Sequence, residues 1–199
     1  MTENTPDYKK LIDAETWGFI DRTMAFYATA TGNETIAEQR QLYDQMCAHF
    51  RRPVPDDVRV ADRDYAGVSI RAYDRATNPD PDNLIIYFHG GGFVVGGLHS
   101  HDDVCGELCA ATGMSVIAVD YRLAPEYVAP SQSDDCISVV DAIALQDHRR
   151  ILLVGDSAGG HLAADLSRHY RAPTNSVTIV GQLLIYPGLG CLLFYPAAA

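Results

Sequence analysis

The chain has 199 residues, 47% of them hydrophobic, and its 26 acidic and 15 basic side chains give a formal charge of −11. That length and apolar content predict one globular domain with one substantial core and at most a small appendage. The negative charge argues against a nucleic acid or an anionic membrane surface as partner, because both attract concentrated lysine and arginine.

The first part of the chain, to about Phe50, has the periodicity of helices. Its apolar residues recur at spacings of three and four in two runs, as on one face of a helix. The runs consist of Trp17, Ile20, Met24 and Tyr27, then Ile36, Leu42, Met46 and Phe50. Prolines at positions 53 and 55 end the second run, because proline cannot continue a helix. This pattern by itself predicts a helical pair that covers part of the rest of the protein.

Strand patterns follow the helical region. Residues 58–64 and 68–74 alternate in polarity around Ala66-Gly67, which predicts an antiparallel hairpin at one edge of a sheet. Beyond it, continuous apolar strands alternate with helical patterns. The strands are predicted at 84–88, 115–120, 151–154 and 178–186, and the helices near 101–112, 131–146 and 158–170. Continuous apolar strands are typical of a mostly parallel sheet with helices on both faces, so the fold class is α/β.

Two glycine-rich motifs come directly after strands of this sheet. His89-Gly90-Gly91-Gly92-Phe93 follows the strand at 84–88, and three consecutive glycines can turn backbone N–H groups toward an oxyanion. Gly155-Asp156-Ser157-Ala158-Gly159-Gly160 lies between the strand at 151–154 and a helix. This G-x-S-x-G pattern is typical of a nucleophile elbow, in which a strained strand-to-helix turn exposes the serine. The pattern predicts Ser157 as the nucleophile, with the N–H of Ala158 as one oxyanion donor.

Other polar groups have structural interpretations. His99-Ser100-His101-Asp102-Asp103 contains metal-ligand residue types, yet Ser100 with Asp103 three residues later fits a capping box at the start of the next helix, which we favour. Cys105 and Cys109 fall on one helical face, and we expect small buried thiols there, because five cysteines without a secretory signal predict reduced thiols.

The chain resembles the hormone-sensitive-lipase-like family of α/β-hydrolase esterases. The resemblance rests on the two glycine motifs, on Asp120-Tyr121-Arg122-Leu123-Ala124-Pro125-Glu126, and on Gln182-Leu183-Leu184-Ile185-Tyr186-Pro187. It implies an α/β-hydrolase fold that hydrolyses short- to medium-chain acyl esters through an acyl-enzyme on Ser157, without a metal or an organic cofactor. It also implies oxyanion donors at Gly91 and Gly92. His89, Asp156 and the segment 120–126 would hold loops in place through hydrogen bonds and ion pairs.

The resemblance also divides the chain. It implies an N-terminal helical cap over the active site (residues 1–55), an incomplete α/β-hydrolase core (56–190) and an atypical apolar tail (191–199). In this fold the triad acid and histidine come from loops well beyond the strand that ends in Tyr186-Pro187, and residues 191–199 contain no Asp, Glu or His. We therefore expect weak or no activity from the chain as it stands. His161, four residues after Ser157, is the alternative base, although it should pack beneath the elbow.

Three interpretations remain open on the sequence. The chain is an esterase, a non-catalytic homologue that binds a small molecule, or a fragment that depends on a partner. The last follows from the strand at 178–186, which without neighbours would form an exposed apolar edge open to pairing, including with a second copy. No stretch is as long and apolar as a membrane span, and residues 1–7 have no apolar core of a signal peptide, so we expect a cytoplasmic protein.

Overall fold

The computed structural model describes residues 8–189 apart from 29, 78–79, 81, 147–149 and 172–176, and a six-stranded sheet organises them. The strands are β1 (Val58–Tyr65), β2 (Val68–Arg75), β3 (Asn83–Phe88), β4 (Ser115–Val119), β5 (Arg150–Asp156) and β6 (Ile179–Ile185). The helices are α1 (Tyr8–Leu11), α2 (Ala14–Ala25), α3 (Ile36–Phe50), α4 (Asp102–Thr112), α5 (Ser131–Gln146) and α6 (Ala158–His169).

The sheet has the order β1-β2-β4-β3-β5-β6. Strands β4, β3, β5 and β6 are parallel, and β1 and β2 form an antiparallel hairpin that joins β4. The α/β class, the mostly parallel sheet and the hairpin at one edge are therefore confirmed. In β1, Val58 is the one buried residue. As the terminal strand of the described sheet, β1 meets little besides β2, so its polar alternation marks no buried face.

Helices cover both faces of the sheet. Side chains alternate along each strand, so Leu84, Ile86 and Phe88 lie in a core with residues of α5 and α6. Ile85 and Tyr87 point to the other face, where α4 covers them. Cys105 and Cys109 belong to this second core and are fully buried, so the prediction of small buried thiols on one face of a helix is confirmed.

The two long N-terminal helices pack on each other through aromatic rings. The rings of Phe19 in α2 and Phe50 in α3 lie 5.1 Å apart, and neither helix contains a fully buried residue. Met24, which the periodicity placed on the inner face, is 59% exposed. Its neighbour Thr23 faces inward instead, toward a cavity between these helices and the sheet. That residues 1–55 act as a cap stays a prediction, and the tail at 191–199 lies outside the described residues.

Strand β6 forms the other end of the described sheet. It pairs with β5 on one side, and its apolar residues Val180 and Leu183 are 42% and 46% exposed. This matches the exposed apolar edge expected from the sequence, and pairing with a second copy there stays a prediction. No helix in the described ranges is long and apolar enough to cross a bilayer.

Two leucines test the assignment of the core. Leu153 is fully buried under α6 and Leu145 is 82% exposed on α5. We expect Leu153→Ala to lower the free energy of unfolding by about 2–5 kcal/mol, since it leaves a cavity. Leu145→Ala should change it by less than about 0.5 kcal/mol. Urea denaturation followed by circular dichroism measures both, and equal effects would contradict the assignment.

Candidate active site

Ser157 occupies a strained turn between β5 and α6. Its backbone has φ 51° and ψ −112°, a region that costs a non-glycine residue about 1–3 kcal/mol unless its surroundings hold it there. Here the surroundings do so. The N–H of Ser157 donates to the carbonyl of Ile185 at 2.9 Å, and the N–H of Gly188 donates to the Ser157 carbonyl at 3.0 Å. The structure thus places Ser157 on the tight strand-to-helix turn that the motif predicts.

The absence of a side chain at Gly159 lets α6 approach the neighbouring strand. A Cβ atom built on Gly159 would lie 1.9 Å from the carbonyl oxygen of Phe88 and 2.6 Å from that of His89, distances that real Cβ atoms do not reach. Phe88 is the last residue of β3, and His89 begins the first glycine motif. The start of α6 therefore packs directly against the origin of the loop at residues 89–95, which we call the oxyanion loop after the role that the resemblance predicts for it.

The oxyanion loop has an unusual backbone. Gly91, Gly92 and Phe93 have φ values of 117°, 61° and 65°, and the N–H groups of Val94 and Val95 both donate to the carbonyl of Gly91 at 3.0 Å. At Gly91 a Cβ atom would lie 2.2 Å from the Val95 carbonyl oxygen, so this tight turn requires glycine. Consecutive positive φ values turn the N–H groups away from the ordinary strand direction, as an anion-binding loop needs.

The carboxylate of Asp156 connects the two motifs. Its Oδ1 accepts hydrogen bonds from the N–H of Gly90 at 2.9 Å and from the Tyr87 hydroxyl at 2.8 Å. His101 Nε2 lies 3.4 Å from the same oxygen, and the Tyr186 hydroxyl lies 3.5 Å from Oδ2. Burial by itself would raise the pKa of Asp156, but His101 and these hydrogen bonds outweigh it and hold the pKa below its usual value. The prediction that Asp156 braces the elbow is confirmed.

His89 holds the oxyanion loop rather than acting on a substrate. Its Nδ1 lies 2.7 Å from the carbonyl of Gly90, which can only accept, so Nδ1 carries the proton. Its ring stacks on Tyr121 with centroids 4.2 Å apart, and the Tyr121 hydroxyl donates to the His89 carbonyl at 2.6 Å. Burial lowers the pKa of His89 to about 4, so the ring is neutral near neutral pH. The structural role expected for His89 is confirmed.

The segment 120–126 forms the expected ion pairs. The Arg122 guanidinium binds the Asp135 carboxylate, with Nη2 2.7 Å from Oδ1, and the Arg122 backbone N–H donates to Oδ2 of the same group. Glu126 pairs with Arg40 of α3, with Oε2 2.7 Å from Nη2. These contacts anchor the segment at Arg122 and at Glu126. The segment in turn holds Tyr121 against the ring of His89.

The predicted capping box at Ser100 and Asp103 is wrong. Helix α4 begins at Asp102 with His101 as a cap that makes no side-chain cap bond. The Ser100 hydroxyl donates to the carbonyl of Gly97 at 2.9 Å, and it lies 2.8 Å from His101 Nδ1. Asp103 Oδ2 accepts from the N–H of Arg52 at 3.1 Å. The contact with Ser100 orients His101 toward Asp156. Within the described ranges no three potential ligands cluster as a metal site would need.

The ring of His161 has partners other than the Ser157 hydroxyl. Its Nδ1 lies 3.3 Å from the carbonyl of Gly188, and the ring stands edge-on to Phe93 with centroids 6.0 Å apart. The Gly188 carbonyl can only accept, so Nδ1 donates to it. Within the described residues, no imidazole or carboxylate makes a hydrogen bond to the Ser157 hydroxyl. The structure therefore does not bring His161 and Ser157 together as base and nucleophile.

A cavity of about 470 Å³ lies between the N-terminal helices and the end of the sheet. Its wall is largely apolar. Residues of α2 and α3 form one side and residues around the elbow form the other: Phe19, Met46 and Phe50, then Tyr87, Asp156 and Tyr186. The cavity thus opens beside the residue that precedes the candidate nucleophile, and this position suits the apolar part of a small ligand.

The sequence predicted neither the partners of Asp156 nor the ion pair of Arg40 with Glu126. Tyr87 precedes the last residue of β3, and a tyrosine near the end of a largely apolar strand signals a hydroxyl that needs a partner. The sequence predicted no partner for His101, which is one of several polar residues between positions 99 and 103. Arg40 lies four residues after Ile36 and seven before Cys47, so helical spacing places a charged residue on the inner face of α3. A charged residue at such a position indicates a buried or half-buried ionic partner in another segment.

Comparisons with known proteins agree with this geometry. Residues 85–197 match a family model described as alpha/beta hydrolase fold. The chain is 40% identical over 140 residues to ethyl acetate hydrolase of Pseudomonas putida, a match that covers 66% of this chain and 44% of that protein. It is 34% identical over 197 residues to esterase LipI of Mycobacterium tuberculosis, covering 93% of this chain and 59% of that protein.

Solved structures show the same relationship. An esterase from the bacterial hormone-sensitive lipase family superposes with a TM-score of 0.75 at 27% identity, covering 88% of this chain and 58% of that one. A hyperthermophilic esterase from the archaeon Pyrobaculum calidifontis gives a TM-score of 0.72 at 29% identity, with 84% and 58% covered. The matches therefore cover between 44% and 59% of the length of these relatives.

The close approach at Gly159 can be tested by adding one methyl group. We expect Gly159→Ala to lower the free energy of unfolding by about 1–3 kcal/mol, because its Cβ collides with backbone atoms of Phe88. Gly18→Ala is the control. Its Cβ would meet only the flexible end of Arg22, at 3.6 Å, so alanine should stabilise α2 by up to about 1 kcal/mol. Chemical denaturation measures both, and effects of the same sign would contradict the packing.

The depressed pKa of Asp156 predicts a pH-dependent stabilisation. A carboxyl whose pKa is lower in the folded chain stabilises the fold above its unfolded value of about 3.9, and that contribution is lost as the pH falls through the folded pKa. We expect Asp156→Asn to cost about 1–3 kcal/mol near pH 7, because buried donors lose a charged acceptor. The difference from the wild type should shrink below about pH 4.

Urea denaturation of both proteins over this pH range measures the difference. The control is Asp165→Asn, which removes a surface pair with Arg168 and should cost less than about 1 kcal/mol at either pH. A cost at Asp156 that does not change with pH would show that ionisation of this carboxyl does not stabilise the fold.

Proposed function

Because the chain belongs to the α/β-hydrolase family, among esterases related to hormone-sensitive lipase, we propose that it hydrolyses carboxylic esters through an acyl-enzyme on Ser157. The observation that carries the proposal is the strained elbow of Ser157, tied by Asp156 to a glycine loop with positive φ values. A nucleophile beside preorganised backbone donors is the arrangement that acyl transfer requires.

The proposed reaction uses the two motifs in separate roles. The Ser157 oxygen attacks the ester carbonyl carbon while an imidazole base from outside the described residues takes the hydroxyl proton, and the carbonyl π electrons move onto oxygen. The N–H groups of Gly91, Gly92 and Ala158 donate to that oxyanion, and one such donor typically lowers the barrier by about 3–4 kcal/mol. The tetrahedral intermediate then expels the alcohol, which takes up the proton. Water attacks the acyl-enzyme by the same steps and releases the acid.

We propose short- to medium-chain acyl esters as substrates. The cavity beside Asp156 has a volume of about 470 Å³ and a largely apolar wall, which suits the hydrocarbon part of an ester. A relative with 40% identity is named ethyl acetate hydrolase, an activity on a short acyl ester, which supports the same substrate class. The apolar rings of Phe19 and Phe50 on the cavity wall favour burial of a hydrocarbon group over a charged one.

Turnover of p-nitrophenyl acetate and p-nitrophenyl butyrate tests the proposal. We expect slow release of p-nitrophenol by the purified 199-residue chain, because no described residue acts as the base, and loss of that release in Ser157→Ala, since the covalent step is removed. Ser138→Ala is the matched control, because among the described residues Ser138 bonds only to the Asp134 carbonyl, on the exposed surface of α5. It should keep the wild-type rate.

A fluorophosphonate probe separates the remaining outcomes. Fast labelling of Ser157 with turnover supports the esterase. Binding of butyrate esters without turnover or labelling would overturn it in favour of a ligand-binding homologue. Turnover that persists in Ser157→Ala would place the reaction elsewhere. The probe reads activation of the serine directly, because only a serine with an effective base reacts fast.

A further inference from the structure

We propose that Arg40 of α3 is a positioning residue that fixes the oxyanion loop from outside the hydrolase core. The inference rests on the proposed function, since an oxyanion loop matters for acyl transfer. It extends that function to a helix that contributes no nucleophile and no oxyanion donor. The juxtaposition that carries it is the guanidinium of Arg40 against backbone carbonyls of two loops that are joined by the hydrogen bond from the Ala124 N–H to the Phe93 carbonyl.

The guanidinium of Arg40 bridges three segments of the chain. Its Nε donates to the carbonyl of Val94, in the oxyanion loop, at 2.8 Å. Its Nη2 donates to the carbonyl of Ala124 at 3.0 Å. Nη1 and Nη2 also bind the two carboxylate oxygens of Glu126 at 2.9 Å and 2.7 Å. One side chain of α3 therefore joins the oxyanion loop to the segment 120–126 that lies beside it.

The oxyanion loop needs such a hold from its surroundings. It contains the non-glycine residue Phe93 at φ 65°, a conformation that persists only where neighbouring groups determine it. Val94 begins the return from the glycine turn, and its N–H donates to Gly91. Phe93 accepts a hydrogen bond from the N–H of Ala124 at 2.8 Å. Arg40 therefore donates hydrogen bonds on both sides of this contact, to the carbonyl of Val94 and to that of Ala124.

The geometry requires an arginine. A guanidinium presents its donors in a rigid planar fork, so one side can hold a carboxylate while Nε binds a carbonyl. A lysine ammonium would keep the charge opposite Glu126, but it is a compact point with no fixed fork. The hydrogen bond with Glu126 raises the pKa of Arg40, so the side chain stays charged. Lysine at this position should therefore retain the electrostatic attraction to Glu126 but no longer hold the Val94 and Ala124 carbonyls in a fixed orientation.

The ion pair itself contributes little to stability. The side chains of Arg40 and Glu126 are 29% and 51% exposed, and pairs with this access to water are weak. Its effect should instead be local, at the carbonyls that Arg40 orients. Helix α3 also lines the cavity through Met46 and Phe50, so the same helix borders the proposed substrate and holds the loop that would stabilise the oxyanion.

Hydrogen exchange measured by mass spectrometry tests the positioning without requiring turnover. We expect Arg40→Met to speed exchange in peptides that cover residues 91–95 by about tenfold or more, because local opening becomes easier. Peptides of β3 should exchange as in the wild type. The control is Arg168→Met, which removes an exposed arginine paired within its own helix and should leave residues 91–95 unchanged.

Kinetics with p-nitrophenyl butyrate then tests the consequence. We expect Arg40→Met to lower kcat by about ten- to a hundredfold with little change in KM, since misplaced donors weaken transition-state binding alone. Arg40→Lys should recover part of the loss. Glu126→Gln should have a smaller effect than Arg40→Met, because the carbonyl contacts of Arg40 remain.

The two measurements fail separately. Faster exchange at residues 91–95 in Arg40→Met, together with a wild-type chain that has no esterase turnover, would leave the positioning role standing and overturn only the proposed function. Unchanged exchange in a folded Arg40→Met variant would overturn the positioning role, whatever the activity. An equal fall in kcat for Arg168→Met would overturn it too, because a general loss of stability would then explain both variants.

Discussion

The buried carboxylate of Asp156 holds together two segments of the chain that lie 66 residues apart. It is the residue before Ser157, so its backbone belongs to the elbow, and its Oδ1 accepts the N–H of Gly90 at the start of the oxyanion loop. A carboxylate removed from water must find donors, and it finds them in Gly90, in the Tyr87 hydroxyl and beside His101. Satisfying this one charge therefore fixes the relative position of the two motifs.

The parallel sheet makes that connection possible. Phe88 at the end of β3 pairs in register with Gly155 near the end of β5, so the loops that follow these two strands begin at the same edge of the sheet. In open α/β sheets, ligands bind outside the carboxyl ends of the strands for this reason. The small residues of the second motif then let α6 pack onto the end of β3. As a result, the glycine loop and the serine turn are neighbours in space although they are far apart in the sequence.

A second layer of charged side chains surrounds this centre. Arg122 with Asp135 and Arg40 with Glu126 anchor the two ends of the segment 120–126. Partly exposed ion pairs contribute little to global stability, so their consequence is orientation of loops. Helices α2 and α3 have no fully buried residue and reach the core partly through such polar contacts. Few buried apolar contacts make an element easy to open locally, which fits helices that border a cavity.

The sequence by itself determined the sheet, the hairpin, the flanking helices and the turn that carries Ser157. These follow from apolar periodicity and from glycines at fixed offsets, which act within a few residues of the chain. Tertiary structure alone decided that Asp156 contacts His101, that Ser100 turns to Gly97, that His161 binds Gly188 and that Arg40 reaches Val94. Each of these polar side chains had several possible partners in the sequence, and the packing of distant segments selected one, because a buried polar group bonds to whichever donor or acceptor the fold brings within reach.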